Sequence, residues 1–110
     1  MREKTVEDKI KDYLFAHDIY YFKVHGSKFM PKGIPDIISC VNGYFVAIEV
    51  KRPGGRESEH QKIHRNNIGK SNGVSIVADC LEDVVTVVEP LLKGEKNELI
   101  NDRSWYRWPC

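Results

Sequence analysis

Asn42-Gly43 lies between two runs rich in β-branched and aromatic residues: 36–41 (Asp-Ile-Ile-Ser-Cys-Val) and 44–51 (Tyr-Phe-Val-Ala-Ile-Glu-Val-Lys). Both central positions of the tightest hairpin turn need positive φ, and Asn followed by Gly meets that need with little strain. The dipeptide therefore predicts an antiparallel hairpin with a two-residue loop in which Val41 faces Tyr44. The register then follows by counting: partner numbers sum to 85, and Asp36 faces Glu49. Side chains alternate along a strand. Tyr44, Val46, Ile48 and Val50 share one face, and Phe45, Ala47, Glu49 and Lys51 share the other. A carboxylate and an ammonium thus stand side by side at the end of a strand that is otherwise apolar.

The remaining elements follow from periodicity and punctuation. Val6, Ile10, Tyr13 and Leu14, with Phe15 beside them, recur at helical spacing. Thr5-Val6-Glu7-Asp8 resembles a capping box, so a helix is expected from Thr5 to about His17-Asp18. Glu7 flanks its apolar stripe. Ile19–Val24 reads as a strand, and 26–35, with two Gly and two Pro, reads as a loop. Arg52-Pro-Gly-Gly-Arg56 is a turn, Ser58–Lys70 a polar helix and Val74–Ala78 a buried strand. Leu81 to about Leu92 is a helix that Pro90 bends or shortens. The order α-β-β-β-α-β-α predicts an α/β fold, a mixed sheet with helices packed on it. A chain of 110 residues is expected to form one domain spanning 1–110, with a polar tail from about 93 that carries Trp105, Tyr106 and Trp108.

Charge and composition narrow the class. No apolar run approaches the roughly 20 residues that span a bilayer. The first residues are charged at once with no signal-type stretch, so a cytoplasmic location is expected. Cys40, Cys80 and Cys110 form no CxxC pair and no zinc set, and are expected to be thiols in a reducing compartment. The net charge of +1 conceals a segregated distribution. Residues 23–70 hold nine Lys or Arg against four acids, and the flanks hold eight against twelve. Such a field suits a polyanion meeting one face.

The hairpin supplies the chemistry. Opposed partners on one face have Cβ atoms about 5 Å apart. Carboxylates at that distance repel unless a cation sits between them, and a hard divalent ion such as Mg²⁺ takes oxygen ligands of this kind. Asp36, Glu49 and the Val50 carbonyl are the candidate ligands, with Glu7 as a direct or outer contact. A held divalent ion polarises a phosphate and acidifies water. Lys51, on the same face as Glu49, can orient that water or offset charge in the transition state.

Gly33-Ile34-Pro35-Asp36, then Glu49-Val50-Lys51, then Gln61 resemble the PD-(D/E)xK nuclease superfamily. More narrowly, Lys32-Gly33-Ile34-Pro35-Asp36 and Glu49-Val50-Lys51-Arg52-Pro53-Gly54-Gly55, with Gln61 following, resemble the VRR-NUC domain. The resemblance runs from the first helix to about residue 78, and His64 stands where members often carry an aromatic. It implies a restriction-endonuclease-like core and DNA cleavage dependent on Mg²⁺ or Mn²⁺. It implies that Glu7, Asp36, Glu49, Lys51 and Gln61 are active-site residues. It also implies similarity to stand-alone phage and bacterial proteins that act as homodimers, some of them Holliday-junction resolvases.

Around that set, Lys28, Lys32, Arg52, Arg56, Lys62 and Arg65 are the expected phosphate contacts, which position a duplex without reading its sequence. His25, His60 and His64 are expected at the surface, and the terminal aromatics are expected to pack on the domain or a partner chain. Two other functions fit much of the same pattern: a nuclease of linear or single-stranded DNA, and a catalytically silent DNA-binding module. The complete set of carboxylates and lysine speaks against the second.

Overall fold

The computed structural model describes residues 2–94, so Cys110 and the aromatic tail lie outside the described residues. The elements are α1 (Glu3–Ala16), β1 (Tyr20–Lys23), β2 (Ile37–Val41), β3 (Tyr44–Val50), α2 (Glu59–Lys70), β4 (Val74–Ala78) and α3 (Leu81–Leu92). The strands form one sheet in the order β1-β2-β3-β4, antiparallel except for the parallel β3–β4 pair. The expected element order and mixed sheet are both present.

The turn behaves as its chemistry demands. Asn42 and Gly43 have φ of 51° and 89°, and Val41 pairs with Tyr44. Asn42 also donates its side-chain amide to the Leu91 carbonyl at 3.0 Å, which ties the hairpin tip to the end of α3. From that register, Ile37, Val41, Val46, Ile48 and Val50 all point to one face. They are buried there with Val74, Ile76 and Ala78 of β4, Val6, Ile10 and Leu14 of α1, and Val84, Val88 and Leu91 of α3. Full burial of one such side chain contributes about 1.5–3 kcal/mol, so this face holds most of the stabilising surface.

Helix ends show where local signals were read correctly and where they were not. α1 begins at Glu3, not at Thr5, and Arg2, its N-cap, makes no side-chain capping bond. The Thr5 N–H already donates to the Arg2 carbonyl at 3.0 Å, so Thr5 lies inside the first turn. Glu3 and Lys4 are good helix formers, and the Glu3 charge suits the helix N-terminus, which extends the helix past the apparent box. The capping box that does form is at α2. Ser58 accepts the Gln61 N–H at 3.2 Å, and the Gln61 side chain accepts the Ser58 N–H at 2.8 Å. α1 ends at Ala16, with Asp18 at positive φ and the Ile19 N–H returning to the Leu14 carbonyl at 3.0 Å, a Schellman closure. Pro90 falls in the last turn of α3, so the helix runs on to Leu92.

α2 covers the opposite face of the sheet toward β4, where Gly73 lets Ile68 and Phe45 close over it. The loop before β2 is fixed against the start of the same helix. Gly33 has φ +80°, and a Cβ there would stand 2.5 Å from the His60 carbonyl carbon and 2.6 Å from the Gln61 nitrogen. Pro35, two residues on, is buried. Gly33→Ala is therefore expected to lower stability by about 2 kcal/mol or more, read as a lower urea midpoint. Gly54→Ala, also at positive φ but with open space around it, should lose less.

Candidate active site

Asp36 sits one residue before β2, and the sheet treats it unlike its neighbours. Its N–H donates to the Ile48 carbonyl at 3.0 Å, although Ile48 is already the ladder partner of Ile37. Two consecutive residues thus answer to one on β3, the count that defines a β-bulge. The slip moves Asp36 off the position directly opposite Glu49 that simple counting predicts. Its carboxylate instead accepts the Val50 N–H, 2.7 Å from Oδ2. The two expected residues meet, but through the peptide that joins Glu49 to Val50.

Glu7 and Asp36 are linked by a residue the sequence reading missed. Lys23, paired with Ile37 in the β1–β2 ladder, places its ammonium 2.7 Å from Glu7 Oε1 and 3.9 Å from Asp36 Oδ1. Lys11 approaches the other Glu7 oxygen at 3.2 Å. Burial pushes the Glu7 carboxyl up, but the hydrogen bonds and charges of Lys23 and Lys11 outweigh it and hold the group below the ordinary range. The i,i+4 spacing from Glu7 exposes Lys11 as a partner in the sequence. Lys23 carries no such local signal, because it lies 16 residues from Glu7 and meets Asp36 only across the loop between β1 and β2.

Glu49 is the most enclosed carboxyl of the set. It is 1% exposed, and neither oxygen has a hydrogen-bond donor among the described residues. Burial, and then the neighbouring Glu57 carboxyl, push its pKa up to about 8, against the pull of Lys51 and Arg65. Two carboxylates offer each other no donor, so a bond between them forms only when one holds a proton. Glu57 is itself clamped by Arg65, with Nε 2.9 Å and Nη2 2.7 Å from its two oxygens. Both side chains of that pair are under a tenth exposed.

This overturns the expectation for Arg65. It does not stand at the surface as a phosphate contact but serves a buried carboxylate. The polar composition of 58–70 hides it, since an inward Arg is marked only by its partner, Glu57, which lies eight residues before it and outside the helix. Lys28, Lys32, Arg52 and Arg56 are exposed as expected. Lys62 is exposed and pairs with Glu59 at 3.4 Å. Lys51 is half-buried and makes no ion pair among the described residues, yet its charge reaches Glu49. Gln61 spends its side-chain oxygen on the Ser58 cap, and its helix turn abuts Gly33 of the loop that carries Asp36. His64 lines an apolar hollow of about 370 Å³ with Phe45, Asn67 and Ile68. Phe45 lies four residues from Glu49, about 13 Å along the strand. Cys40 and Cys80 are exposed free thiols.

The donor chemistry fits a hard cation. Glu7, Asp36 and Glu49 offer only oxygen, the Lys23 ammonium stands between two of them, and the third has unpartnered oxygens. The three do not converge within 4.8 Å of one another. The trio that does so among the described residues is Asp79, Cys80 and Asp83 at the start of α3. There Asp83 caps the Asp79 N–H at 3.1 Å.

Two outcomes test this electrostatic arrangement. Arg65→Met leaves the Glu57 carboxylate buried without its ion-pair partner. It should cost about 3–5 kcal/mol by urea denaturation, the range for removing one partner of a buried pair. Glu49 keeps its proton in the folded state to about pH 8, whereas an unfolded glutamate loses it near about 4.3. Between those values the folded state binds more protons, so stability falls as pH rises. In EDTA the melting temperature should drop from about pH 5 to about pH 8, and Glu49→Gln should flatten that slope.

No family model matches the chain, and no curated protein matches its sequence. Among solved structures, a VRR_NUC domain protein matches with a TM-score of 0.69, covering 84% of this chain and 89% of that one at 21% identity. Agreement of that extent shows a shared architecture: the chain has the fold of that VRR_NUC domain protein.

Proposed function

We propose that this protein is a metal-dependent nuclease of the VRR-NUC type, hydrolysing phosphodiester bonds in DNA. One observation carries the reading. The Asp36 carboxylate rests on the peptide between Glu49 and Val50, and the next residue, Lys51, has an ammonium with no ion-pair partner among the described residues. A structural ion pair at a strand end would leave no such lysine.

Asp36, Glu49 and the Val50 carbonyl, with Glu7, would hold Mg²⁺ or Mn²⁺. When bound, such an ion polarises a phosphoryl oxygen and acidifies water. The chain's own groups do the rest. Lys51 donates hydrogen bonds to a phosphate oxygen and offsets the charge that builds as water adds to phosphorus. Asp36 is held in one orientation by the Val50 N–H, so little ordering remains to be done on reaction. Lys23 keeps Glu7 and Asp36 from repelling each other. Lys28, Lys32, Arg52 and Arg56 hold flanking phosphates.

In its finer form the reading is a homodimer acting on branched DNA such as a Holliday junction, whose symmetry two related sites would match. That form draws on the resemblance carried by residues 32–36 and 49–55. A silent binding module is the alternative, favoured by the failure of Glu7, Asp36 and Glu49 to converge.

The test is incubation with a four-way junction and a matched linear duplex in Mg²⁺, Mn²⁺ or EDTA. Metal-dependent cutting is expected, falling on the order of a hundredfold or more in Lys51→Ala and abolished in Glu49→Gln, with folding intact by circular dichroism. Cutting of the junction alone favours the branched substrate, and equal cutting leaves a general nuclease. No cutting by wild type would transfer the reading to the binding module.

A further inference from the structure

The loop between β1 and Asp36 is closed at its outer part into a turn. The Met30 N–H donates to the Ser27 carbonyl at 3.0 Å, and the Phe29 N–H donates to the Ser27 hydroxyl at 3.2 Å. Lys28 and Phe29 thus occupy the two central turn positions. Phe29 is 86% exposed, more than the other large exposed hydrophobics among the described residues, and Met30 beside it is 43% exposed. A single exposed apolar residue is ordinary. The surroundings set this one apart. The Lys28 ammonium lies 5.2 Å from the ring centroid, Lys32 is exposed, and residues 25–33 contain no acid. The base of the loop is fixed, with Gly33 pressed on the α2 backbone and Pro35 buried. Phe29 is seven residues from Asp36, a reach of at most about 24 Å and so about seven base steps along a duplex.

We propose that Phe29 is a stacking site for an unpaired nucleobase, with Lys28 and Lys32 on the adjoining phosphates. It selects DNA that carries an unstacked base, as at a fork, a branch or a single strand. The inference rests on the nuclease reading for its site and adds the feature of substrate that the site takes. An aromatic ring can stack on any base face, but paired and stacked bases offer none. Flanking lysines favour a polyanion over an apolar protein surface. The hydrogen-bonded turn holds the ring out in advance, so little of the stacking gain is lost to ordering.

Binding in EDTA separates this inference from catalysis. Labelled DNA of one sequence is titrated by fluorescence anisotropy as a single strand, a fork and a linear duplex. Phe29→Ala and Phe29→Leu should weaken the single strand and the fork roughly tenfold or more and the duplex little. Phe29→Trp should retain wild-type affinity, and Lys28→Ala should weaken all three together. The inference fails if Phe29→Ala binds all three as wild type does, if it loses all three equally, or if wild type shows no preference for unpaired DNA. Metal-dependent cutting of the same DNAs is read alongside. Cutting by wild type with no Phe29 effect on binding leaves the nuclease and removes the stacking site. Selective binding through Phe29 without cutting does the reverse.

Discussion

The β2–β3 ladder is the constraint on which the other features depend. A two-residue turn at positive φ leaves one register, and a period of two then decides what each face carries. Ile48 and Val50 go into the core with α1 and α3, and Glu49 goes to the other side. One bulge at the end of that ladder turns the Asp36 carboxylate onto the Val50 N–H. A shift of one residue anywhere along the hairpin would bury Glu49 and Lys51 in the aliphatic core and dismantle the site along with the fold.

Folding brings carboxylates where water is scarce, and the protein answers each with a different group. Glu7 has Lys11 and Lys23. Glu57 has the fork of Arg65. Glu49 has no donor on either oxygen among the described residues and, lying beside Glu57, stays protonated to about pH 8. The cationic groups are graded accordingly. Arg65 grips Glu57 and also draws on Glu49, Lys23 is shared between two carboxylates, and Lys51 carries its charge toward Glu49 with no ion pair among the described residues. Charge left partly uncompensated in a protein interior is costly unless something binds to it.

The site is approached through a loop with unusual composition. Residues 25–33 hold lysines, an exposed phenyl ring and no acid, and their base is locked to α2 through Gly33. The same glycine sets the distance between the loop and the first turn of α2, where Gln61 completes the Ser58 cap. Fold stability and the placement of the basic loop therefore share one tight backbone contact.

Much was legible from local chemistry along the chain. Asn42-Gly43 set the hairpin, alternation put Glu49 and Lys51 on one face, and Ser58, Gly33 and the apolar runs marked the remaining elements close to their observed bounds. Where neighbouring signals competed, the reading slipped: Thr5 looked like a cap, but the helix began upstream at Glu3. What stayed hidden depended on contacts between one segment and another. Lys23 meets Asp36 across a long loop and Glu7 across the turn from α1 to β1, Arg65 turns inward because Glu57 waits for it, and the bulge at Asp36 replaces a facing pair by a backbone contact. Periodicity reports which face a side chain takes. The charge that meets it there is set by other segments brought together on folding.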